Sequence, residues 1–123
     1  MNLIKLRKNT LCVENLSAIK LAKKYKTPFY CYSLEQLRYN YQTLKNTFKN
    51  VNPLICFSIK SNSNIKLLNE LKKMGAGADV VSVGELLKAK NAGIKSNKIV
   101  FSGVGKTEEE IHMAVRKRVL LIK

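Results

Sequence analysis

From Leu54 onward the chain repeats one pattern: a short apolar run, a polar or glycine-containing loop, then an amphipathic stretch at helical spacing. Leu54–Ile59 is nearly continuous in apolar residues, as a strand covered on both faces should be. Ile65, Leu68, Leu71 and Met74 follow at helical spacing, and Gly75 offers a C-cap. Ala78–Ser82 is the next expected strand. Glu85–Asn91 is the next helix, with Leu86, Leu87 and Ala89 turned inward and Gly93 closing it. Ile99–Ser102 makes a third strand. Thr107 and Glu110 have the spacing of a capping box for a helix carrying Ile111, Ala114 and Val115. Val119–Ile122 begins a fourth strand. Strands recurring about every 20 residues with helices between them imply a parallel α/β sheet with right-handed crossovers. Pattern alone is compatible with a doubly wound sheet and with a barrel.

Upstream, the spacing predicts a helix over Leu16–Tyr25, a strand over Phe29–Tyr32 and a longer helix. In that helix Leu34, Leu37, Tyr41, Leu44 and Phe48 form one stripe, expected in the core, with Ser33 as N-cap and Gln36 three residues on. A chain of 123 residues is one domain at most, well short of the roughly 250 of a closed eight-stranded barrel. A fourth strand with nothing to cover its apolar edge is a hazard that finished proteins avoid, so the sequence reads as interrupted.

The formal charge of +15, from 23 basic and 8 acidic residues, raises the question of an anionic partner. The lysines are scattered through every segment and arginine, the main base reader, is scarce. A solvated lysine-rich surface is the expected reading, and a basic nucleic-acid binder the alternative. Cys12, Cys31 and Cys56 are widely spaced, form no C-x-x-C pair and are expected to be reduced, packed thiols. No metal site is expected. No run approaches the ~20 apolar residues that span a bilayer, and the N-terminus lacks the apolar stretch of a secretory signal. A cytoplasmic protein is the expectation.

Gly103-Val104-Gly105-Lys106-Thr107 lies between a strand and a helix, the context of a phosphate loop. A Walker A loop needs glycine where Val100 stands, and a dinucleotide fingerprint needs it at Glu108. The loop is therefore read as a tight βα turn that needs glycine backbone freedom. His112, with no partner cysteine or nearby acid expected, reads as a surface residue. Lys60 differs, because it follows the most apolar strand at the C-terminal end, where α/β folds bind ligands. Apolar walls around such a lysine would desolvate its ammonium and free the neutral amine for attack on an aldehyde.

Phe57-Ser58-Ile59-Lys60-Ser61-Asn62-Ser63-Asn64 resembles the YAVKANSN block of diaminopimelate decarboxylases. Gly75–Ser82, followed by Gly84-Glu85-Leu86, resembles their GSGADVVSxGEL block. Lys98–Thr107 is similar to their KIVFSGVGKT, and Thr27–Ser33 to their TPFYVYS. Ser61 stands in place of the usual alanine and Val83 in place of a common glycine, while Val115–Lys123 lacks the usual glycine.

The resemblance implies an alanine-racemase-like (β/α)8 TIM barrel, here truncated after about four barrel strands. Residues 1–33 would lead into the barrel, residues 34–123 would form its first part, and the C-terminal β-domain would be absent. It implies pyridoxal 5'-phosphate as cofactor, Lys60 as the catalytic lysine that carries it, and Asp79 and Glu85 as further cofactor-binding residues. The implied reaction is decarboxylation of meso-diaminopimelate to L-lysine and carbon dioxide by a homodimer. Ornithine and arginine are the competing amino-acid substrates. Because the family's phosphate loop and substrate-reading β-domain lie outside the matched blocks, the chain alone is expected to be inactive. A non-catalytic remnant that only captures the cofactor is the second reading.

Overall fold

A computed structural model describes residues 3–123, in two compact units, one ending at Asn46 and one spanning Thr47–Lys123. The first begins with a three-stranded antiparallel sheet of β1 (Ile4–Arg7), β2 (Thr10–Val13) and β3 (Leu16–Ser17). Arg7 pairs with Thr10 across a two-residue turn in which Lys8 and Asn9 both have positive φ, the arrangement that matches strand twist in a tight hairpin. Sequence patterning misses this sheet, since Lys8 carries no turn signal and β3 is only two residues long. Helix α1 (Ala18–Tyr25) therefore starts two residues later than its apolar spacing predicts.

The expected strand over Phe29–Tyr32 is not formed: no segment among the described residues pairs with it. Tyr30 and Tyr32 stack on each other instead, centroids 6.3 Å apart. Helix α2 (Leu34–Thr47) starts as its cap predicts, with Ser33 Oγ accepting from Gln36 N at 2.9 Å. Ser33 also donates to Glu14 Oε1 at 2.6 Å, which fastens the helix start to the hairpin. The apolar stripe of α2 is less buried than expected. Tyr41 is buried, whereas Leu44 is exposed, and Phe48 lies beyond the helix and is also exposed.

The second unit is built on a four-stranded parallel sheet in the order β4 (Cys56–Ser58), β5 (Gly77–Val80), β6 (Ile99–Phe101) and β7 (Leu121–Ile122). Helices α3 (Ile65–Lys73), α4 (Val83–Asn91) and α5 (Glu108–Arg116) form the crossovers. Strand order equals chain order, as in a barrel wall, and the reversal that marks a doubly wound sheet does not occur among these four strands.

Because strand side chains alternate, the register sorts the sheet into two faces. Ala78, Val80, Ile99 and Phe101 are fully buried with Ile59, Leu68, Leu86, Ala89 and Ala114 in one apolar cluster. Each large side chain fully removed from water there contributes about 1.5–3 kcal/mol. Leu87, expected to turn inward, is exposed, as are Ile111 and Val115 of α5. On the other face Ser58, Asp79, Val100 and Leu121 stand in one cross-strand row.

Helices α3, α4 and α5 all end in the same paired hydrogen-bond motif. Gly75 N donates to Lys72 O and Ala76 N to Leu71 O; Gly93 and Ile94 repeat this with Lys90 and Ala89. The motif needs a left-handed residue, which the two glycines supply at φ +91° and +76°. After α5 the same position is held by Arg118 at φ 52°, with Arg118 N donating to Val115 O and Val119 N to Ala114 O. A side chain is disfavoured there. Replacing Arg118 with glycine is therefore expected to stabilise the chain by about 1 kcal/mol in urea unfolding at neutral pH; an unchanged or lower midpoint would count against this account of α5.

Candidate active site

Parallel pairing brings the C-terminal ends of β4, β5 and β6 to one side of the sheet, and the chemistry-bearing residues of the sequence gather there. Strand β4 stops at Ser58 and passes into a single 3-10 turn over Ile59–Ser61. Ile59 is fully buried and anchors the turn, while Lys60, the next residue, projects into solvent. Asn62 N donates to Ile59 O at 3.0 Å and Ser61 Oγ to Ser58 O at 2.7 Å, holding the turn at both ends. Asn62 Oδ1 then accepts from Asn64 N, and Asn64 Oδ1 caps α3 by accepting from Lys66 N at 2.9 Å. Apart from Ser63, whose Oγ accepts from Lys88 Nζ at 2.9 Å, the polar run after Lys60 is thus spent on backbone geometry. The lysine occupies the predicted end of its strand and is exposed among the described residues.

Asp79 lies one strand over, in register with Ser58. Both of its carboxylate oxygens are engaged. Ser58 Oγ donates to Oδ2 at 3.2 Å, and Ser102 Oγ donates to Oδ1. Ser102 follows β6 and is held by its own N–H to Val80 O at 2.9 Å. Sequence reasoning singled out neither serine, because only the register brings residues 58, 79 and 102 together. Cys56 is half-buried two residues below Ser58; burial first, and the charge of Asp79 second, push its thiol pKa up and keep it protonated. Cys12 is buried as expected, whereas Cys31 is exposed.

Glu85 closes the β5–α4 loop. Its Oε2 accepts from Val81 N at 3.0 Å, and its own N–H donates to Ser82 Oγ at 3.3 Å. One carboxylate oxygen is therefore committed to the backbone at the helix start. Glu110 performs a similar task across two helices. Its Oε2 accepts from Thr107 N at 3.0 Å, completing the predicted capping box, and its Oε1 accepts from Val83 N at 3.1 Å in the first turn of α4. These backbone donors, Thr107 first and Val83 second, hold the Glu110 carboxyl below its ordinary range.

Glycine is needed in the β6–α5 loop for a different reason from the one its pattern gives. Gly103 has no positive φ; a side chain there would run into the backbone of Val81. Lys106 donates to Gly103 O and Lys123 O and lies over the Phe101 ring, 5.7 Å from its centroid. His112 is exposed as expected, though it does have an acid beside it, Glu108 at 3.4 Å. No helix among the described residues is long and apolar enough to cross a membrane.

Sequential parallel βα units, with a lysine and an aspartate at the C-terminal ends of neighbouring strands, define this part of the molecule as a segment of a (β/α)8 barrel with its ligand end on that side. Residues 34–123 match the family described as "Pyridoxal-dependent decarboxylase, pyridoxal binding domain". The chain belongs to this family, whose cofactor is pyridoxal 5'-phosphate. It is 45% identical over 103 residues to a diaminopimelate decarboxylase of Helicobacter pylori, covering 84% of this chain and 25% of that protein. The diaminopimelate decarboxylase of Haemophilus influenzae is 41% identical over 119 residues, 97% of this chain and 29% of its own length. Among solved structures, diaminopimelate decarboxylase from M. jannaschii in complex with L-lysine superposes with a TM-score of 0.91 at 35% identity, over 98% of this chain and 29% of that one. The chain thus spans between a quarter and three tenths of the length of these relatives.

The depressed Glu110 carboxyl has a consequence for stability. A carboxylate with a lowered folded pKa stabilises the fold above the ordinary glutamate range, and the contribution is lost as pH falls through the folded value. Glu110→Gln should lower the urea midpoint at pH 7 and cost progressively less as pH falls below the ordinary glutamate range; a loss independent of pH would show that charge is not involved.

Proposed function

We propose that this chain is the cofactor-carrying part of a diaminopimelate decarboxylase, which converts meso-diaminopimelate to L-lysine and carbon dioxide. The observation that carries the reading is Lys60. A primary amine is exposed at the C-terminal end of a parallel strand, on a turn anchored by buried Ile59, beside a strand whose last residue but one is Asp79. An aldehyde cofactor needs such an accessible amine, so the residues present fit it. The names of the relatives support the substrate, and the L-lysine bound in the M. jannaschii structure is the product this reaction would form.

When bound, pyridoxal 5'-phosphate supplies an electron sink for the pair released as carbon dioxide leaves. Lys60 would hold the cofactor covalently. Asp79 would present a fixed negative charge to it, favouring a protonated nitrogen nearby. Glu85, with one oxygen on Val81 N, would contribute through the floor of the site. The complete enzyme would act as a cytoplasmic homodimer on a small amino acid. Residues 1–33 would lead into the barrel wall formed by residues 34–123, and the β-domain would lie outside this chain.

The test is to incubate the chain with pyridoxal 5'-phosphate, reduce with borohydride and map the modified lysine by mass spectrometry. One adduct per chain, at Lys60 and lost in Lys60→Ala, is expected. Adducts spread evenly over the surface lysines would refute the assignment.

A further inference from the structure

We infer that Ser58 and Ser102 are positioning residues that lock the Asp79 carboxylate in one orientation beside the strand end bearing Lys60. The inference rests on the reading that Lys60 carries the cofactor. Three adjacent strands contribute one group each: Ser58 ends β4, Asp79 lies in β5 and Ser102 follows β6. A carboxylate held through one oxygen can still turn about its Cα–Cβ and Cβ–Cγ bonds. Here the two donors approach different oxygens from opposite sides, Ser58 on Oδ2 at 3.2 Å and Ser102 on Oδ1, so rotation breaks at least one bond.

The serine hydroxyls point at Asp79 and not at a helix terminus, so ordinary capping does not account for them. Ser58 and Ser102 each also hold the backbone. The Ser58 carbonyl accepts from Ser61 Oγ at 2.7 Å, which closes the turn carrying Lys60, and Ser102 N donates to Val80 O at 2.9 Å. Ser58 is therefore bonded on one side to the acid and on the other to the lysine's turn. Bonds to a charged acceptor are among the stronger neutral-donor interactions in proteins. A fixed acid matters because electrostatic assistance to a reacting group depends on charge that need not reorganise.

The prediction separates orientation from mere stability. In the intact chain, NMR scalar couplings should show Asp79 in one side-chain rotamer, and in the double variant Ser58→Ala/Ser102→Ala they should average. Lys60 labelling by pyridoxal 5'-phosphate and cyanoborohydride is followed in parallel: the amine adds to the aldehyde, water leaves, and hydride reduces the C=N bond. Its rate, measured well below the unfolding transition of each variant, should fall about three- to tenfold in Ser102→Ala and return in Ser102→Thr, which restores the hydroxyl. A single Asp79 rotamer in the double variant overturns the inference, and so does wild-type labelling in Ser102→Ala. Indiscriminate lysine labelling in the unsubstituted chain overturns the cofactor assignment instead, and the rotamer measurement still decides the role of the serines.

Discussion

Parallel pairing of β5 with both β4 and β6 is the constraint from which the rest of the second unit follows. In a parallel sheet every strand ends on the same side, so Lys60, Asp79 and Ser102 reach one edge without any long-range steering. The pairing is kept close at Gly77, where a side chain would strike the Lys98 carbonyl and the Cys56 sulfur. It is also kept one-sided. Ala78, Val80, Ile99 and Phe101 take all the helix packing, which leaves the opposite row, Ser58, Asp79 and Val100, available for polar work. A one-residue slip of β5 would exchange these faces and bury the acid in the apolar cluster.

The loops at that edge are organised by carboxylates and backbone amides. Glu85 and Glu110 occupy the N-terminal ends of α4 and α5, where unpaired N–H groups and the helix dipole favour negative charge. Glu110 bonds to both helices and couples two successive βα units at the ligand end. At the opposite end the left-handed closures after α3, α4 and α5 do the corresponding work. The two ends differ in what they tolerate: the closing end depends on glycine-like backbone, the ligand end on acids and hydroxyls.

Much of this was legible beforehand because it rests on local rules. The Ser33, Thr107 and Glu110 caps and the Gly75 and Gly93 closures depend on residues within a few positions of each other. So did Lys60: an apolar strand ending in lysine and a polar turn is a local signal, and the resemblance of the blocks around it to diaminopimelate decarboxylases added the cofactor. Local rules failed where pairing partners mattered. Phe29–Tyr32 has strand composition and no partner among the described residues, while Ile4–Ser17 lacks a strong pattern and forms three paired strands.

The amino-acid sequence by itself determined the alternation of strand and helix, the helix ends, and which lysine stands at the end of an apolar strand, since each depends on contacts a few residues apart. Tertiary structure alone decided that the strands run in chain order, that Gly103 is required by the Val81 backbone and not by its dihedrals, and that Ser58 and Ser102 close on Asp79. The physical reason is register: residues 58, 79 and 102 are about 20 positions apart along the chain, and only the hydrogen-bonded ladder of neighbouring strands turns that separation into contact.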